Sequence, residues 1–156
     1  IFLKELAILG FILLISACGF QLRGDIQANF DSISISGGTS SFNKTLQRKF
    51  RQAGISIKST SEAEKIVDIT ENKFTKTILT LTGTGAVSEY QLDYFVTYRF
   101  KSKDGAWNLP ITIEASRIYT YDDSDILAKD EEEKRLLSGM ESQIIKTMAT
   151  QISLSR

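Results

Sequence analysis

Alternating apolar and polar residues mark the strands of this chain, and the clearest alternation lies near its middle. From Glu89 to Phe100 every second residue is apolar or aromatic, a period of two that predicts a long strand with one buried face. Leu92 and Val96 are therefore expected in the core, whereas Thr97 is expected on the opposite face. The full apolar set is Tyr90, Leu92, Tyr94, Val96, Tyr98 and Phe100.

A second long strand is expected just before this one. Residues 65–82 are rich in β-branched side chains, which is typical of strands, and a break is expected near Asn72. Gly83-Thr84-Gly85 predicts the tip of a hairpin between the two strands. This loop lacks the third glycine and the following helix of a dinucleotide-binding loop, so it predicts no cofactor site.

A return strand is predicted after the turn signal Asp104-Gly105. Pro110 has no N–H to give to a ladder, which places this strand at a sheet edge or at a bulge. Residues 119–125 are predicted to form a polar loop. The apolar face of the return strand is predicted to consist of Trp107, Leu109, Ile111, Ile113 and Ala115.

A first helix is predicted after a short strand at residues 33–35. Ser40 or Ser41 is expected as its N-cap, and Gly54 follows its C-terminus. Its basic residues are interpreted as a solvated face, with a surface for anionic headgroups as the alternative. The apolar stripe is Phe42, Leu46 and Phe50, and the basic residues are Lys44, Arg48, Lys49 and Arg51.

A long helix is predicted over residues 126–152, after another short strand at residues 55–58. Its apolar stripe is Leu137, Met140, Ile144, Met148 and Ile152. The order of elements predicts an α+β fold. We expect a two-layer sandwich in which two helices pack on one face of a roughly four-stranded, mostly antiparallel or mixed sheet.

The amino-acid composition argues against several classes of function. Lys plus Arg and Asp plus Glu are both 19, and this neutrality argues against a duplex nucleic-acid binder. The chain has no His, which excludes Ser-His-Asp and Cys-His catalysis and most zinc sites. The acidic run 122–133 lacks the glycine and ligand spacing of an EF-hand. We therefore predict no catalytic residue, no metal and no cofactor.

The N-terminal residues predict an exported, lipid-anchored protein. The apolar run 6–15 is too short to cross a bilayer and ends in small residues before Cys18, the order of a secretory signal. Ile15-Ser16-Ala17-Cys18 resembles a bacterial lipobox, and a short buried helix with an inert thiol is the alternative. We predict a lipoprotein signal peptide at 1–17, a lipidated tether at 18–29 and one domain at 30–156.

Three stretches in order resemble the LPS-assembly lipoprotein family LptE, also called RlpB. Cys18-Gly19-Phe20-Gln21-Leu22-Arg23 is similar to the mature start of the family, and Glu89-Tyr90-Gln91-Leu92 is similar to one of its strands. Leu127-Ala128-Lys129-Asp130 is similar to the start of its long helix, although Met140-Glu141 reverses the family's order. The resemblance covers nearly the whole mature chain.

The resemblance implies an outer-membrane lipoprotein without catalysis that plugs the LptD β-barrel and assists lipopolysaccharide transport. It implies lipopolysaccharide contact at Lys129, while the family's basic hairpin residue falls near Gly83 and is absent here. Lys73 or Lys76 is a candidate replacement. The implied partners are the barrel, lipopolysaccharide and the membrane, with no nucleic acid. The alternative is a structural, peptidoglycan-binding or assembly-machine lipoprotein without a lipopolysaccharide role.

Overall fold

Five strands and two long helices make up residues 26–155, the part of the chain that the computed structural model describes. The predicted signal peptide, Cys18 and the tether up to residue 25 lie outside these residues. The elements are β1 (Ser32–Gly37), α1 (Ser40–Gln52), β2 (Ser56–Ile57), β3 (Lys65–Leu81), β4 (Val87–Ser102), β5 (Ile111–Thr120), a 3₁₀ turn (Asp123–Asp125) and α2 (Ile126–Leu154).

The strands form one mixed sheet in the order β2-β1-β3-β4-β5. β1 is parallel to both β2 and β3, whereas β3, β4 and β5 form an antiparallel meander. The predicted α+β architecture is confirmed. The sheet has one strand more than expected, because the short β2 pairs with β1 through Ser56 and Ile57.

Both helices contribute their apolar stripes to one core on one face of the sheet. The predicted stripes are confirmed, and from Met140 onward the stripe of α2 is fully buried. Leu92 and Val96 are fully buried, as predicted, whereas Thr97 points to the other face and is only half-buried. The buried stripe residues of the helices are Phe42, Leu46, Phe50, Met140, Ile144, Met148 and Ile152.

One end of the sheet, called the base below, gathers the start of β1 and the C-terminal ends of both helices. The Asn29 side-chain amide donates to the Ser153 carbonyl over 2.6 Å, and the Phe30 ring meets the Phe50 ring at 6.3 Å. The buried Lys65 ammonium donates to the Ser155 carbonyl over 3.1 Å. These contacts fix the segment that leads toward Cys18 against the C-terminal ends of α1 and α2.

The predicted return strand begins later than expected, so the prediction was wrong for Trp107 and Leu109. β5 starts at Ile111, and Leu109 is 85% exposed. The ladder of β4 is continued by Asn108, whose side-chain carbonyl accepts from the Phe100 N–H over 2.6 Å. Since Pro110 cannot donate to a ladder, the strand begins only after it.

Three local predictions also need correction. The N-cap of α1 is Thr39, whose hydroxyl accepts from the Phe42 N–H, and it is neither Ser40 nor Ser41. β3 does not break near Asn72; it continues through a bulge between Ile69 and Glu71. The predicted loop at residues 119–125 begins as the end of β5, and Tyr119 is buried there. Tyr119 combines an apolar ring with a polar hydroxyl, so polarity along the chain did not reveal its burial.

Candidate functional site

The end of the sheet opposite the base, called the tip below, is built from the β3–β4 turn and the first turns of α2. The turn is closed by the Thr82 N–H, which donates to the Ala86 carbonyl over 2.7 Å. Gly85 has a φ of +86°, a left-handed conformation that glycine adopts without steric cost. The Tyr121 N–H donates to the Ser88 carbonyl over 2.9 Å, which holds the segment before α2 beside this hairpin.

A cluster of charged and aromatic side chains joins the hairpin to α2 at the tip. The Lys76 ammonium lies 2.5 Å from a Glu133 carboxylate oxygen and 4.3 Å from the centre of the Tyr90 ring. The Tyr119 hydroxyl donates to the same carboxylate oxygen over 2.6 Å. Tyr90 packs between the Tyr119 and Tyr121 rings, at 5.9 and 5.1 Å. One carboxylate on α2 therefore binds partners from both β3 and β5.

The hydrogen bonds of this cluster set its protonation states. Burial disfavours the charged forms of Lys76 and Glu133, but the contacts between them outweigh burial. They lower the pKa of Glu133 below its usual range and raise the pKa of the Lys76 ammonium above its usual value. Burial, aided by the hydrogen bond to Glu133, raises the pKa of the Tyr119 hydroxyl to about 12. The pair is therefore ionised at neutral pH.

Glu133→Gln is expected to lower the free energy of unfolding by about 1–3 kcal/mol at neutral pH, because the ammonium and the phenol lose a charged acceptor. Folding lowers the pKa of Glu133, so its contribution is present above the unfolded-state pKa of about 4.3. The contribution is lost as pH falls through the folded-state pKa. Urea melts of both proteins from pH 7 to about pH 3 should show the difference shrinking on the acidic side. Glu131→Gln, at an exposed pair with Lys134, is the control and should change stability much less.

Lys129 lies one helical turn before Glu133, on the same side of α2. Its ammonium is 2.9 Å from a Glu132 carboxylate oxygen, and its side chain is 21% exposed. The positive charge of Lys129 also helps the hydrogen bonds of Ser124 to lower the pKa of Asp122. Lys129 is thus a partly exposed cation within a group of carboxylates.

The two candidate replacements for the missing basic hairpin residue lie on different faces of the sheet. Lys73 pairs with Phe95 in the ladder and is exposed on the face without helices. Lys76 pairs with Leu92 and points to the face covered by α2, where it reaches Glu133. Only Lys76 therefore shares a face with Lys129, and Gly83 in the turn brings no charge.

Exposed apolar side chains lie two or three residues away from these two lysines in the sequence. Ile78, on the same face of the sheet as Tyr90, is 52% exposed, and Ile126 and Leu127 at the start of α2 are 53% and 80% exposed. Cations next to exposed apolar groups suit a ligand that has both anionic groups and alkyl chains. Sequence reasoning identified Lys129 and Lys76 but missed Tyr119 and Glu133. The spacing of four puts Lys129 and Glu133 on the same side of α2, but no signal in the sequence pairs Glu133 with Lys76 or Tyr119.

Neither a membrane-spanning helix nor a metal cluster occurs in the described part of the chain. No helix within residues 26–155 is long and apolar enough to cross a membrane. Over the same range, no group of at least 3 acidic, cysteine or histidine side chains is placed to hold a metal ion.

Solved lipoprotein structures share this fold. The solution structure of uncharacterized lipoprotein B from Nitrosomonas europaea is 26% identical with a TM-score of 0.71, and covers 86% of this chain and 90% of that chain. The rare lipoprotein B from Shewanella oneidensis is 24% identical, with a TM-score of 0.64. The match covers 77% of this chain and 95% of that chain. The minor lipoprotein from Acinetobacter baumannii is 20% identical, with a TM-score of 0.62. The match covers 81% of this chain and 93% of that chain.

Comparison with protein families agrees with the structural likeness. No curated protein sequence matches the chain significantly. A family model described as "LptE: Lipopolysaccharide-assembly" matches residues 30–152, which span every strand and nearly all of α2. The chain therefore belongs to the lipopolysaccharide-assembly family LptE.

Proposed function

We propose that this chain is an outer-membrane lipoprotein that plugs an LptD-type β-barrel and assists the assembly of lipopolysaccharide at the outer leaflet. The observation that carries the proposal is the family match over residues 30–152, which covers the whole sheet and both stripe-bearing helices. The lipid anchor is proposed at Cys18, and the domain has no catalytic role. The fold supports a binding role, because its distinctive groups are cations, carboxylates and aromatic rings on rigid elements.

The open face of the sheet suits contact with the polar inner wall of a barrel. Thr97 and Thr112 share a hydrogen bond of 2.9 Å across β4 and β5 on this face. Ser116 donates to Asp93 over 2.6 Å on the same two strands. Lys plus Arg equals Asp plus Glu in the chain, so a neutral plug would enter the barrel without strong net repulsion. Hydrogen-bonding side chains on a rigid sheet support this placement.

The tip supports the proposed contact with lipopolysaccharide. Lys129 and Lys76 offer ammonium groups to the phosphates of lipid A, and charge-assisted hydrogen bonds of this kind are among the strongest available to a protein. Ile126, Leu127 and Ile78 offer exposed apolar area to acyl chains. Lys76 is held by both Glu133 and the Tyr90 ring, whereas Lys129 is paired with Glu132, a carboxylate that is itself 38% exposed, so Lys129 gives up less when it binds a phosphate.

Capture of the lipidated protein from outer membranes tests the plug. We expect a large β-barrel protein to co-purify in a ratio near one to one, together with lipopolysaccharide. If the protein instead captured peptidoglycan or another envelope assembly machine, with neither a β-barrel protein nor lipopolysaccharide, the result would contradict the proposal. It would support the alternative role as an accessory lipoprotein.

Lys129→Glu should weaken lipopolysaccharide binding at least about tenfold while leaving the fold and barrel capture intact. The loss should be larger at low salt, since screening weakens exposed charge contacts. Binding of purified lipopolysaccharide, measured by titration calorimetry, gives the comparison. Lys134→Glu is the matched control, because Lys134 is also paired with a glutamate at spacing i,i+3 but lies in a more exposed position. Equal affinities of the Lys129→Glu and Lys134→Glu proteins would remove Lys129 from the site and leave the plug untouched.

A further inference from the structure

β5 forms one edge of the sheet, and its outer side pairs with no other strand of residues 26–155. The opposite edge is β2, which has only two residues, whereas β5 runs for ten residues without a bulge or a proline. Proteins usually shorten, bend or cover a strand in this position, because an open edge is a template for another strand. The long, regular edge of β5 is therefore a candidate interaction surface.

The register of β5 against β4 shows which backbone groups point outward. In an antiparallel pair, hydrogen-bonded and non-hydrogen-bonded residue pairs alternate. The Tyr121 N–H donates to the Ser88 carbonyl over 2.9 Å, and the register continues from this pair through β5 without a shift. The odd-numbered residues of β5 therefore bind β4, and the N–H and C=O groups of its even-numbered residues point away from β4. These outward groups, called the free edge below, belong to Thr112, Glu114, Ser116, Ile118 and Thr120.

A side-chain contact agrees with this assignment. The Ser116 carbonyl, which the register turns outward, accepts from the Arg117 guanidinium over 2.7 Å. The same guanidinium donates to the Gln143 side chain on α2 over 2.6 Å. Arg117 therefore covers one carbonyl of the free edge, and no strand of residues 26–155 pairs with the positions around it.

The side chains of the free-edge residues indicate what an added strand should carry. All five are exposed and lie on the open face of the sheet, the face without helices. Glu114 forms no ion pair with the cations of residues 26–155, and its partner in the ladder is Phe95. Ile118 is 56% exposed. Because neighbouring side chains on one face of a sheet interact, a cation beside Glu114 and an apolar side chain beside Ile118 would fit best.

These requirements favour a segment of the proposed barrel partner over a second copy of this chain. The free-edge residues include no basic side chain, so a second copy paired along the same edge would not neutralise Glu114. The strands of a closed barrel are paired on both sides, so they offer no backbone groups to the free edge. A loop or terminal segment of the barrel protein that enters the lumen has unpaired backbone groups. It would also continue the contact proposed above for the open face.

We propose that the free edge of β5 binds an extended segment of the barrel protein as a sixth strand of the sheet, with a basic residue of that segment beside Glu114. The inference rests on the proposed plug function and is independent of lipopolysaccharide contact at the tip. In this mode of recognition, main-chain hydrogen bonds supply affinity and the flanking side chains supply specificity. Arg117 would release the Ser116 carbonyl when the added ladder forms.

Residue-resolved hydrogen exchange of the free protein and of its captured barrel complex tests the added strand. In the free protein, the Glu114 and Ile118 amides should exchange rapidly, whereas the Ile113 and Ala115 amides, which bind β4, should be protected. In the complex, exchange of the free-edge amides should slow by at least about tenfold. A barrel complex whose free-edge amides still exchange rapidly would overturn this proposal and leave the plug intact. Capture of no barrel at all would overturn both.

Glu114→Pro tests the same edge by substitution. It removes one outward N–H and places a ring on the edge, but takes no hydrogen bond from the β4–β5 ladder. In competition with the parent for the barrel, it should bind at least about tenfold more weakly. Glu114→Ala is the matched control, since it keeps the N–H, and its affinity should fall by no more than about threefold.

Equal barrel affinities of the Glu114→Pro and Glu114→Ala proteins would overturn the proposal. A free protein that dimerises in sedimentation, with its free-edge amides protected, would identify a second copy as the occupant and overturn it as well. Melting curves establish whether the proline variant is folded. If it is not, the hydrogen exchange of the parent decides alone, because that measurement needs no substitution.

Discussion

Gly37→Ala should destabilise the domain by about 2–5 kcal/mol, because two separate costs add at this position. Gly37 has a φ of +74°, a left-handed conformation that alanine adopts at a cost of about 1–2 kcal/mol. A Cβ built there would also lie 2.9 Å from the Ile69 carbonyl carbon and closer still to its oxygen. The neighbouring atoms are backbone of β3, so they cannot move without disturbing the pairing of β1 with β3.

Gly54→Ala separates these two costs. Gly54 has a φ of +84°, nearly that of Gly37, but a Cβ there would meet no atom within 4 Å. Gly54→Ala should therefore lower the free energy of unfolding only by the cost of the left-handed conformation, about 1–2 kcal/mol. Urea melts of both variants and the parent give the two values. If Gly37→Ala lowered the free energy of unfolding no more than Gly54→Ala does, the close approach of β1 and β3 at Ile69 would be contradicted.

The periodic elements of this fold were predictable because burial on one face imposes a period on the sequence. The stripe Phe42, Leu46 and Phe50 repeats every four residues, and the alternation around Leu92 repeats every two. Both periods survive in the structure, with each of these side chains fully buried. Local spacing was enough to predict these elements, because each of them turns one face toward a single core.

The ends of the elements were harder to predict, because they depend on contacts made across the fold. β5 starts only after Pro110, and before it the side chain of Asn108 pairs with the Phe100 N–H of β4. The N-cap of α1 is Thr39, and its hydroxyl also donates to Asn72 in β3 over 2.6 Å. Asn72 lies 33 residues after Thr39, so capping preference alone gave the wrong residue for the N-cap.

The candidate site was predictable only in part, for the same reason. Lys129 followed from a family resemblance and Lys76 from its place near the hairpin, but Glu133 lies 57 residues after Lys76. Their ion pair depends on how α2 lies across the hairpin, which no local pattern records. Tyr119 was placed in a loop, although it joins the same carboxylate at the end of β5.

Leu92→Ala should lower the free energy of unfolding by about 2–5 kcal/mol. Leu92 is fully buried and lies in the middle of the core between the sheet and α2. Truncation removes apolar area and leaves a cavity that its neighbours on a rigid sheet cannot fill. The urea midpoint should fall without a change in slope, since the surface exposed on unfolding hardly changes.

Thr97→Ala on the same strand is the control for Leu92→Ala, because the two side chains point to opposite faces of β4. It removes one cross-strand hydrogen bond to Thr112 and should cost less than about 1 kcal/mol. Leu92 also pairs with Lys76 in the ladder, so its truncation should loosen the tip as well as the core. Hydrogen exchange of the Tyr90 and Leu92 amides would then rise by more than that of amides near the base. Equal losses of stability in the two variants would mean that the open face of the sheet is covered as tightly as the core, which contradicts the fold described here.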